Sequence, residues 1–573
     1  MVFILYNKPT CFKSKQGSNI DLLLTNKSRS FKHTNAFETG LSDYHLLVYT
    51  MFRITFEKIP PIKIKYRSYK YFDSQKVSND ILTNCSNVDS YETFEKAILS
   101  TLDCHAPIKS KKLRSNTKPF MNKFLRKAIA IRSRLKNKAN KSGLDTDIEN
   151  YKRQRNFVVA LNRKAQKSYF SKLNPSSIQT SKSFFQTFKP YFSNKYTCAE
   201  KLLLLENGGI VSNDKTIAEC FNDYFVNITH DLDIKEWPTT FSFSLAKFQK
   251  GTDKAISKYS DHPSILKINE QLPKPNLSFV FRNIEFEELR YEIQNLNPSK
   301  GCSGDIPIQF IKDYVPFYIE PLLNSFNNAI NGRFFPDLLK LVDVTPVFKK
   351  GNKNDKVNYR PISVMKAFAI VFERLLFKQL NSFIESSFSP LLCGFRKGHS
   401  TQHALINLLE NWRTKLENKQ VIGTILCDLS KAFDTLPHDL LIAKLNAYGL
   451  SSSALDFLYD YLTNRKQRCK VGSSFSSWRD ITSGVPQGSV MGPLLFNIFL
   501  NDFFFFIEKS STTNFADDNT IYASGDNIED VIYKLETDIE NALNWFYANG
   551  MVANPNKFQI MFLGTKQRVK LIL

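Results

Sequence analysis

Two adjacent carboxylates, Asp517 and Asp518, sit between two short runs of strand-forming residues, Thr512-Thr513-Asn514-Phe515 and Thr520-Ile521-Tyr522. The pattern predicts a β-hairpin with Asp517-Asp518-Asn519 as its tight turn. Side chains alternate along a strand, so neighbouring carboxylates share a face only if the turn redirects one of them. Two such anions at close range repel by roughly 4 kcal/mol at an effective dielectric near 20. One reading is a solvated Asp-Asp turn, since Asp is common in turns. The other is a pair neutralised by a cation. Hard oxygen ligands suit Mg²⁺, which takes one or two carboxylates plus substrate phosphates.

What decides between the two lies about ninety residues upstream. The apolar run Val421-Ile422-Gly423-Thr424-Ile425-Leu426-Cys427 ends in Asp428. That places Asp428 at the C-terminal lip of a buried strand, within reach of the hairpin carboxylates. Three carboxylates converging from a strand end and a hairpin can hold two Mg²⁺ ions about 3.5–4 Å apart, the arrangement that serves in-line phosphoryl displacement. Between them lies Ser483-Gly484-Val485-Pro486-Gln487-Gly488-Ser489-Val490-Met491-Gly492-Pro493, whose glycines and prolines fix an unusual loop and permit close backbone approach to a ligand. Further upstream, the strand Val342 to Phe348 and the segment Tyr359-Arg360-Pro361-Ile362-Ser363 bracket one loop with Lys349, Lys350 and Arg360. These are cations of the kind that grip triphosphate oxygens.

Asp428 to Asp434, Gly484 to Ser489 and Phe515 to Asp518 resemble motifs A, B and C of reverse transcriptases, in the form used by non-LTR (LINE-type, jockey-like) retrotransposons. The resemblance covers Ile284 to Leu563. It implies an α+β fold, a right-hand polymerase with fingers and palm, in which an antiparallel palm sheet is flanked by helices. A basic helical segment would precede it, and the thumb would be missing after Leu563. It implies RNA-directed DNA polymerase activity, with Asp428, Asp517 and Asp518 as metal-binding catalytic carboxylates on two Mg²⁺ ions. Lys557, in the place of the motif D lysine, becomes a general acid for the pyrophosphate leaving group. Phe433, five residues after Asp428, takes the steric-gate position against a ribose 2′-hydroxyl. Lys349, Lys350 and Arg360 would bind the nucleotide phosphates. Gly484, Pro486, Gln487 and Gly488 would cradle template base and nucleotide sugar. The implied partners are an RNA template, a DNA primer and deoxynucleoside triphosphates, with an element-encoded nucleic-acid-binding protein as a further one.

Charge is segregated along the chain. Of a formal net charge of +24, about +20 falls in residues 106–196, where 23 Lys and Arg face three acids, Asp145, Asp147 and Glu149. Apolar residues there recur at helical intervals, so the stretch reads as basic amphipathic helices that clamp RNA or DNA phosphates. A solvated basic face is the plainer alternative. The nine cysteines show no C-x₂₋₄-C spacing, which excludes a zinc knuckle or a disulfide framework and points to an intracellular setting in cytoplasm or nucleus. The most apolar stretch, Gly492 to Ile507, carries Asn497, Asn501 and Asp502 and reads as core, so no membrane partner is expected. His399 and His403 lack the Glu of H-E-x-x-H and read as ordinary helix-start histidines.

The expected organisation is threefold. Residues 1–50 resemble the C-terminal remnant of an apurinic-type endonuclease domain; Asp43 matches its Asp-His pair, while Tyr44 holds the histidine position and His45 follows. Residues 51–280 form a basic helical linker region, with 231–280 as linker proper. Residues 281–573 form fingers and palm, with core motifs in 342–563. Two other functions stand beside polymerase activity: a truncated remnant that binds nucleic acid without catalysis, and a splicing factor like the group II intron maturases.

Overall fold

The computed structural model describes most of the chain; outside the description lie residues 1–2, 5–8, 13–15, 19–23, 26–30, 38–44, 53–62, 87, 113–119, 174–177, 179–182, 186, 189–201, 207, 232–250, 274–276, 300, 305, 555–556, 566–568 and 570–573. The expectations for Asp43 and Tyr44 fall among these. The described residues form two units, one of Met1–Tyr66 with Lys109–Phe192, the other of Arg67–Ile108 with Ser193–Leu573.

The smaller unit holds an antiparallel hairpin, Phe31–Phe37 against Leu47–Phe52, and a helical hairpin of α1 (Lys123–Ser142) and α2 (Asp145–Phe170). His45 lies beside Cys11, its Nε2 3.8 Å from the sulfur. Asn122 caps α1 by accepting from the Leu125 amide, and Gly143, at a φ of 65°, ends it in the left-handed conformation that glycine adopts without strain. Leu125, Ala128 and Val158 form a small core between the two helices. Lys138 and the Ser142 hydroxyl both bond the Asp147 carboxylate across the connection. The two helices are therefore present as the apolar spacing predicts, with their basic residues on the outside of a thin apolar seam.

The larger unit contains two five-stranded sheets. In the first, β1 (Leu341–Phe348) pairs antiparallel with β2 (Tyr359–Val364). β1 also pairs parallel with a strand at Arg465–Val471, so this sheet is mixed. In the second, β3 (Val421–Ser430) is paired antiparallel on both sides, with β5 (Asp518–Gly525) on one and β6 (Gln559–Leu563) on the other. β4 (Ser511–Phe515) extends it beyond β5. Flanking helices cover the sheets, and the protein is a mixed α and β structure with antiparallel sheets. Among the described residues no helix is long and apolar enough to cross a membrane.

Three local outcomes differ from the sequence reading. The hairpin turn is Ala516-Asp517, because Phe515 pairs with Asp518; Asp518 therefore opens a strand instead of sitting at the tip. Residues 251–258 and 263–271 are helical, not linker. His262 caps the second of these helices from a buried position and bonds the Ala548 carbonyl at 2.9 Å, a long-range tie that local composition cannot reveal. Residues 67–108, unremarkable in sequence, supply helices at Ser74–Cys85 and Tyr91–His105 whose Phe94, Ile98 and Leu102 enter the main core.

Through that core runs α3 (Ala367–Ile384), whose first two and a half turns are almost wholly buried while Lys378 and Ser382 reach solvent further on. Phe372 stacks on Phe326 with centroids 4.2 Å apart and on Phe335 at 5.3 Å. α4 (Met491–Leu500) is buried throughout most of its length, and α5 (Ile528–Ala548) contributes Leu535, Trp545 and Phe546 to the same core. Beside α4 a wholly buried ion pair joins Lys444 to Asp502 at 2.5 Å. The ammonium also donates to the Phe499 carbonyl, and the Trp545 indole donates to the other carboxylate oxygen. Burial lowers the Lys444 pKa to about 8 in spite of Asp502. Removing one partner of such a pair leaves a buried charge uncompensated. Lys444→Met is therefore expected to cost about 3–5 kcal/mol in urea unfolding, and Lys444→Met/Asp502→Asn to cost less than the single change.

Candidate nucleotidyl-transfer site

Asp428 lies near the end of β3, directly opposite Asp518 on β5. Opposed residues of an antiparallel pair have Cβ atoms about 4.5–5.5 Å apart, so the register alone brings the two carboxylates together. Asp517 follows from the two-residue turn. Partial burial, then the charges of Asp517 and Asp428, push the Asp518 carboxyl above the usual range, while Lys349 and Lys557 pull it back. Four sequence elements thus converge on one spot.

Lys557 pairs directly with Asp428. Its placement follows from the chain: Val552 and Ala553 pair with Ser430 and Leu429, the Asn554 amide donates to the Asp428 carbonyl, and the Lys557 amide donates to the Asn554 carbonyl. Lys349, just past β1, lies in the same field. Partial burial and the positive charges of Arg360, Lys557 and Lys350 lower its pKa, and Asp428 opposes them. Arg360 sits on β2 opposite Val347. The expected phosphate-binding cations therefore gather beside the carboxylates.

The turn between the carboxylates is unusual. Ala516 has a φ of 58°, a left-handed conformation that costs a non-glycine residue roughly 1–2 kcal/mol. Its surroundings hold it there. The buried Asn514 side chain donates to the Ala516 carbonyl at 2.8 Å and to the Asn519 side-chain oxygen at 2.9 Å. Gly394 packs against the turn so closely that a Cβ would lie 2.4 Å from the Ala516 nitrogen, and Asn497 on α4 holds the Gly394 carbonyl. Sequence reasoning did not foresee that Asn514, Asn519, Gly394 and Asn497 hold this turn, because each contact joins residues from separate elements or the turn's own tertiary closure.

The glycine-rich loop is pinned to the far end of β3. Gly484 donates to the Leu436 carbonyl and Val485 to the Phe433 carbonyl. A Cβ on Gly484 would lie 2.6 Å from the Asp434 carbonyl oxygen, and one on Gly488 2.7 Å from that of Ser363. Both glycines have positive φ, so close approach and backbone conformation demand glycine together. Pro486 and Gln487 line a cavity with Ser363, Asp434 and Gly484. Buried Glu373 on α3 accepts from the Val490 and Met491 amides and from the Tyr461 hydroxyl, and the Ser489 hydroxyl accepts from the Gly492 amide, so a distant carboxylate and a local serine together cap α4. Phe433 stacks on Phe496 with centroids 4.3 Å apart and meets Phe395 edge-on at 5.7 Å. His399 and His403 stand in the first turn region of the helix Thr401–Glu417, capped by Ser400.

The three carboxylates expected to bind metal do not stand as a ready ligand cage: among the described residues no set of three His, Cys, Asp or Glu groups converges for a metal. Lys557 pairs with Asp428 in this arrangement. Asp428 and Asp518 nevertheless offer two hard oxygen donors on facing strands, which fits Mg²⁺ because that ion draws its remaining ligands from water and phosphate.

Asp428 and Asp518 thus face each other on a sheet, with Lys349 and Lys557 beside them. Residues 349–571 match the family described as reverse transcriptase (RNA-dependent DNA polymerase). Among the chain's relatives are proteins named as RNA-directed DNA polymerases of mobile elements. The chain is 30% identical over 230 residues to the probable RNA-directed DNA polymerase from transposon BS of Drosophila melanogaster, covering 39% of this chain and 25% of that protein. It is 30% identical over 223 residues to the X-element counterpart from the same organism, covering 36% and 24%. It is 27% identical over 226 residues to the polymerase of the mobile element jockey from Drosophila funebris, covering 38% and 24%. The chain spans about a quarter of the length of these relatives.

Gly394→Ala tests the packing behind the turn. The obstructing atoms are backbone, which cannot swing aside, so the change is expected to cost about 1–3 kcal/mol in denaturant unfolding.

Proposed function

We propose that this chain is the polymerase portion of a non-LTR retrotransposon reverse transcriptase, copying element RNA into DNA by nucleotidyl transfer. The observation that carries the reading is the register pairing of Asp428 with Asp518 beneath Lys349 and Lys557, in a segment that matches the reverse transcriptase family. Residues 281–573 would form the fingers and palm, β3, β4, β5 and β6 the palm sheet, and β1 and β2 part of the fingers. Residues 1–50 are proposed as the C-terminal part of an endonuclease-type domain. The described cysteines are free thiols, in keeping with an intracellular setting.

Each side chain has a part in this reading. Asp428 and Asp518, with Asp517 beside them, would hold Mg²⁺. When bound, the two ions supply charge stabilisation at the attacking and leaving oxygens. Lys349, Lys350 and Arg360 bind the triphosphate, Arg360 through its planar donor fork. Lys557 holds a proton at Nζ beside Asp428 and delivers it to the departing pyrophosphate. Phe433, fixed by Phe496 and Phe395, walls the sugar against a 2′-hydroxyl, and Gly484, Pro486, Gln487 and Gly488 shape the floor under nucleotide and template. The helical hairpin α1–α2, with 14 Lys and Arg against three acids over residues 123–170, binds template or primer phosphates.

Two measurements test this. The full chain, given Mg²⁺, an RNA template, a DNA primer and deoxynucleotides, is expected to extend the primer. Asp428→Asn is expected to lower the rate on the order of 10³-fold, because loss of charge stabilisation at reacting oxygens costs several kcal/mol. No extension by the unaltered chain, with nucleic-acid binding intact, would instead favour a binding remnant. For the hairpin, full-chain affinity for a template–primer duplex should fall linearly in log salt. Replacing Arg132, Arg134 and Lys136 by Gln should reduce that slope by about one for each phosphate no longer neutralised; an unchanged slope would remove α1 from the nucleic-acid interface.

A further inference from the structure

Asp434 has no place in the reading above, yet it is the side chain to which Gln487 is tied. Gln487 Nε2 donates to both carboxylate oxygens of Asp434, at 2.8 and 2.9 Å. This contact joins the glycine-rich loop to the short helix Ala432–Thr435 that follows β3. The backbone around it is equally fixed. The Ser483 hydroxyl donates to the Asp434 carbonyl, and the Ser363 amide donates to the Gln487 carbonyl at 2.7 Å. The loop can hardly shift, and what remains adjustable is the Gln487 amide itself.

A glutamine amide has a donor end and an acceptor end, and an ionised carboxylate only accepts. Ionised Asp434 therefore fixes the NH₂ toward itself and leaves Oε1 as the other end. Among the described residues Oε1 has no hydrogen-bond partner. Both residues line the cavity shared with Pro361, Ser363 and Gly484.

We propose that Asp434 is a positioning residue: its carboxylate orients the Gln487 amide so that Oε1 accepts a hydrogen bond from the bound deoxynucleotide, and protonation of Asp434 reverses that amide. The proposal rests on the polymerase reading. A protonated carboxyl keeps one accepting oxygen, but its other oxygen becomes an O–H donor for which the Gln487 NH₂ offers no acceptor. The amide then turns over, Oε1 accepts from Asp434, and the nucleotide meets a donor where it had an acceptor. Burial, opposed by Gln487 and Lys431, raises the Asp434 pKa to about 6, which puts the switch in an accessible range. The other groups nearby are Lys431, whose ammonium meets the Tyr224 hydroxyl, and His438, whose Nε2 lies 2.7 Å from the Gly484 carbonyl and whose pKa burial lowers.

The test is deoxynucleotide binding by the full chain on an RNA template whose DNA primer ends in a dideoxynucleotide, so that no turnover occurs, between pH 5 and 8. The unaltered chain should lose affinity roughly 3- to 10-fold below pH 6, the worth of one hydrogen bond. Asp434→Asn can meet either end of the amide at every pH, so its profile should lack that step. Titration of Asp518 and His438 contributes to both forms alike, and the difference between the profiles isolates Asp434. An Asn variant that keeps the step overturns the proposal. Gln487→Met supplies an independent check if the Asn variant does not fold: it too should lack the step, and a persisting step overturns the proposal. No nucleotide binding by the unaltered chain at any pH overturns the polymerase reading and this proposal with it; binding with unaltered variant profiles overturns this proposal alone.

Discussion

The structure of the larger unit depends on holding like charges together. Asp428 and Asp518 face each other across β3 and β5, and Asp517 adds a third charge from the turn. Nothing in the carboxylates favours that arrangement. It is imposed by the register of an antiparallel pair whose other positions, Ile425 with Ile521 and Val421 with Gly525, belong to a sheet with one face in the core. A slip of one residue would carry those apolar side chains to the wrong face, so hydrophobic burial fixes where the charges sit. The strained Ala516 turn follows from the same demand. With Phe515 paired to Asp518, only two residues remain to reverse the chain, and Asn514, Asn519 and Gly394 close around them.

Much of this was legible in the sequence because the governing patterns are local. The apolar run into Asp428, the strand-formers around Asp517-Asp518, and the glycine and proline spacing of 483–493 each read within about a dozen residues. The periodicity of α1 is of the same kind. What was illegible depends on partners far away in the chain. Glu373 meets Val490, more than a hundred residues on. His262 and Ser264 meet Ala548 and Asn549, so the helices there looked like linker. The turn was misplaced by a residue because Asp-Asp-Asn has strong turn propensity, while the Asn514 and Gly394 contacts that favour Ala516-Asp517 come from tertiary structure.

Buried polar groups perform one task repeatedly in this unit: they fix elements that hydrophobic contact alone would leave free to slide. Glu373 spans from α3 to the amides that open α4. Lys444 and Asp502 tie the helix His438–Ala447 to the end of α4 and to Trp545 on α5. Asp434 and Gln487 join the strand end to the loop. Each is costly to bury, and each is satisfied by partners from separate elements. Apolar packing tolerates rearrangement of similar shapes, whereas a buried carboxylate accepts few geometries. α4 is nearly featureless on its apolar face, so the capping carboxylate and the buried ion pair at its two ends supply the register that its own side chains do not.

The same reasoning explains Lys557. Asp428, Asp517 and Asp518 repel one another whether or not a divalent ion is bound, and the turn between them is already strained. An ammonium delivered by the 554–557 segment neutralises part of that charge and holds Asp428 in place. It does so as a monovalent, single-point partner on a flexible stem, a weaker hold than a divalent cation would supply at the same carboxylates. Lys557 can therefore keep the carboxylates close without occupying the site permanently. On the polymerase reading, its displacement from Asp428 leaves it charged, carrying a proton, and beside the phosphates. The residue that stabilises the unliganded site is then also the one placed to serve as its acid.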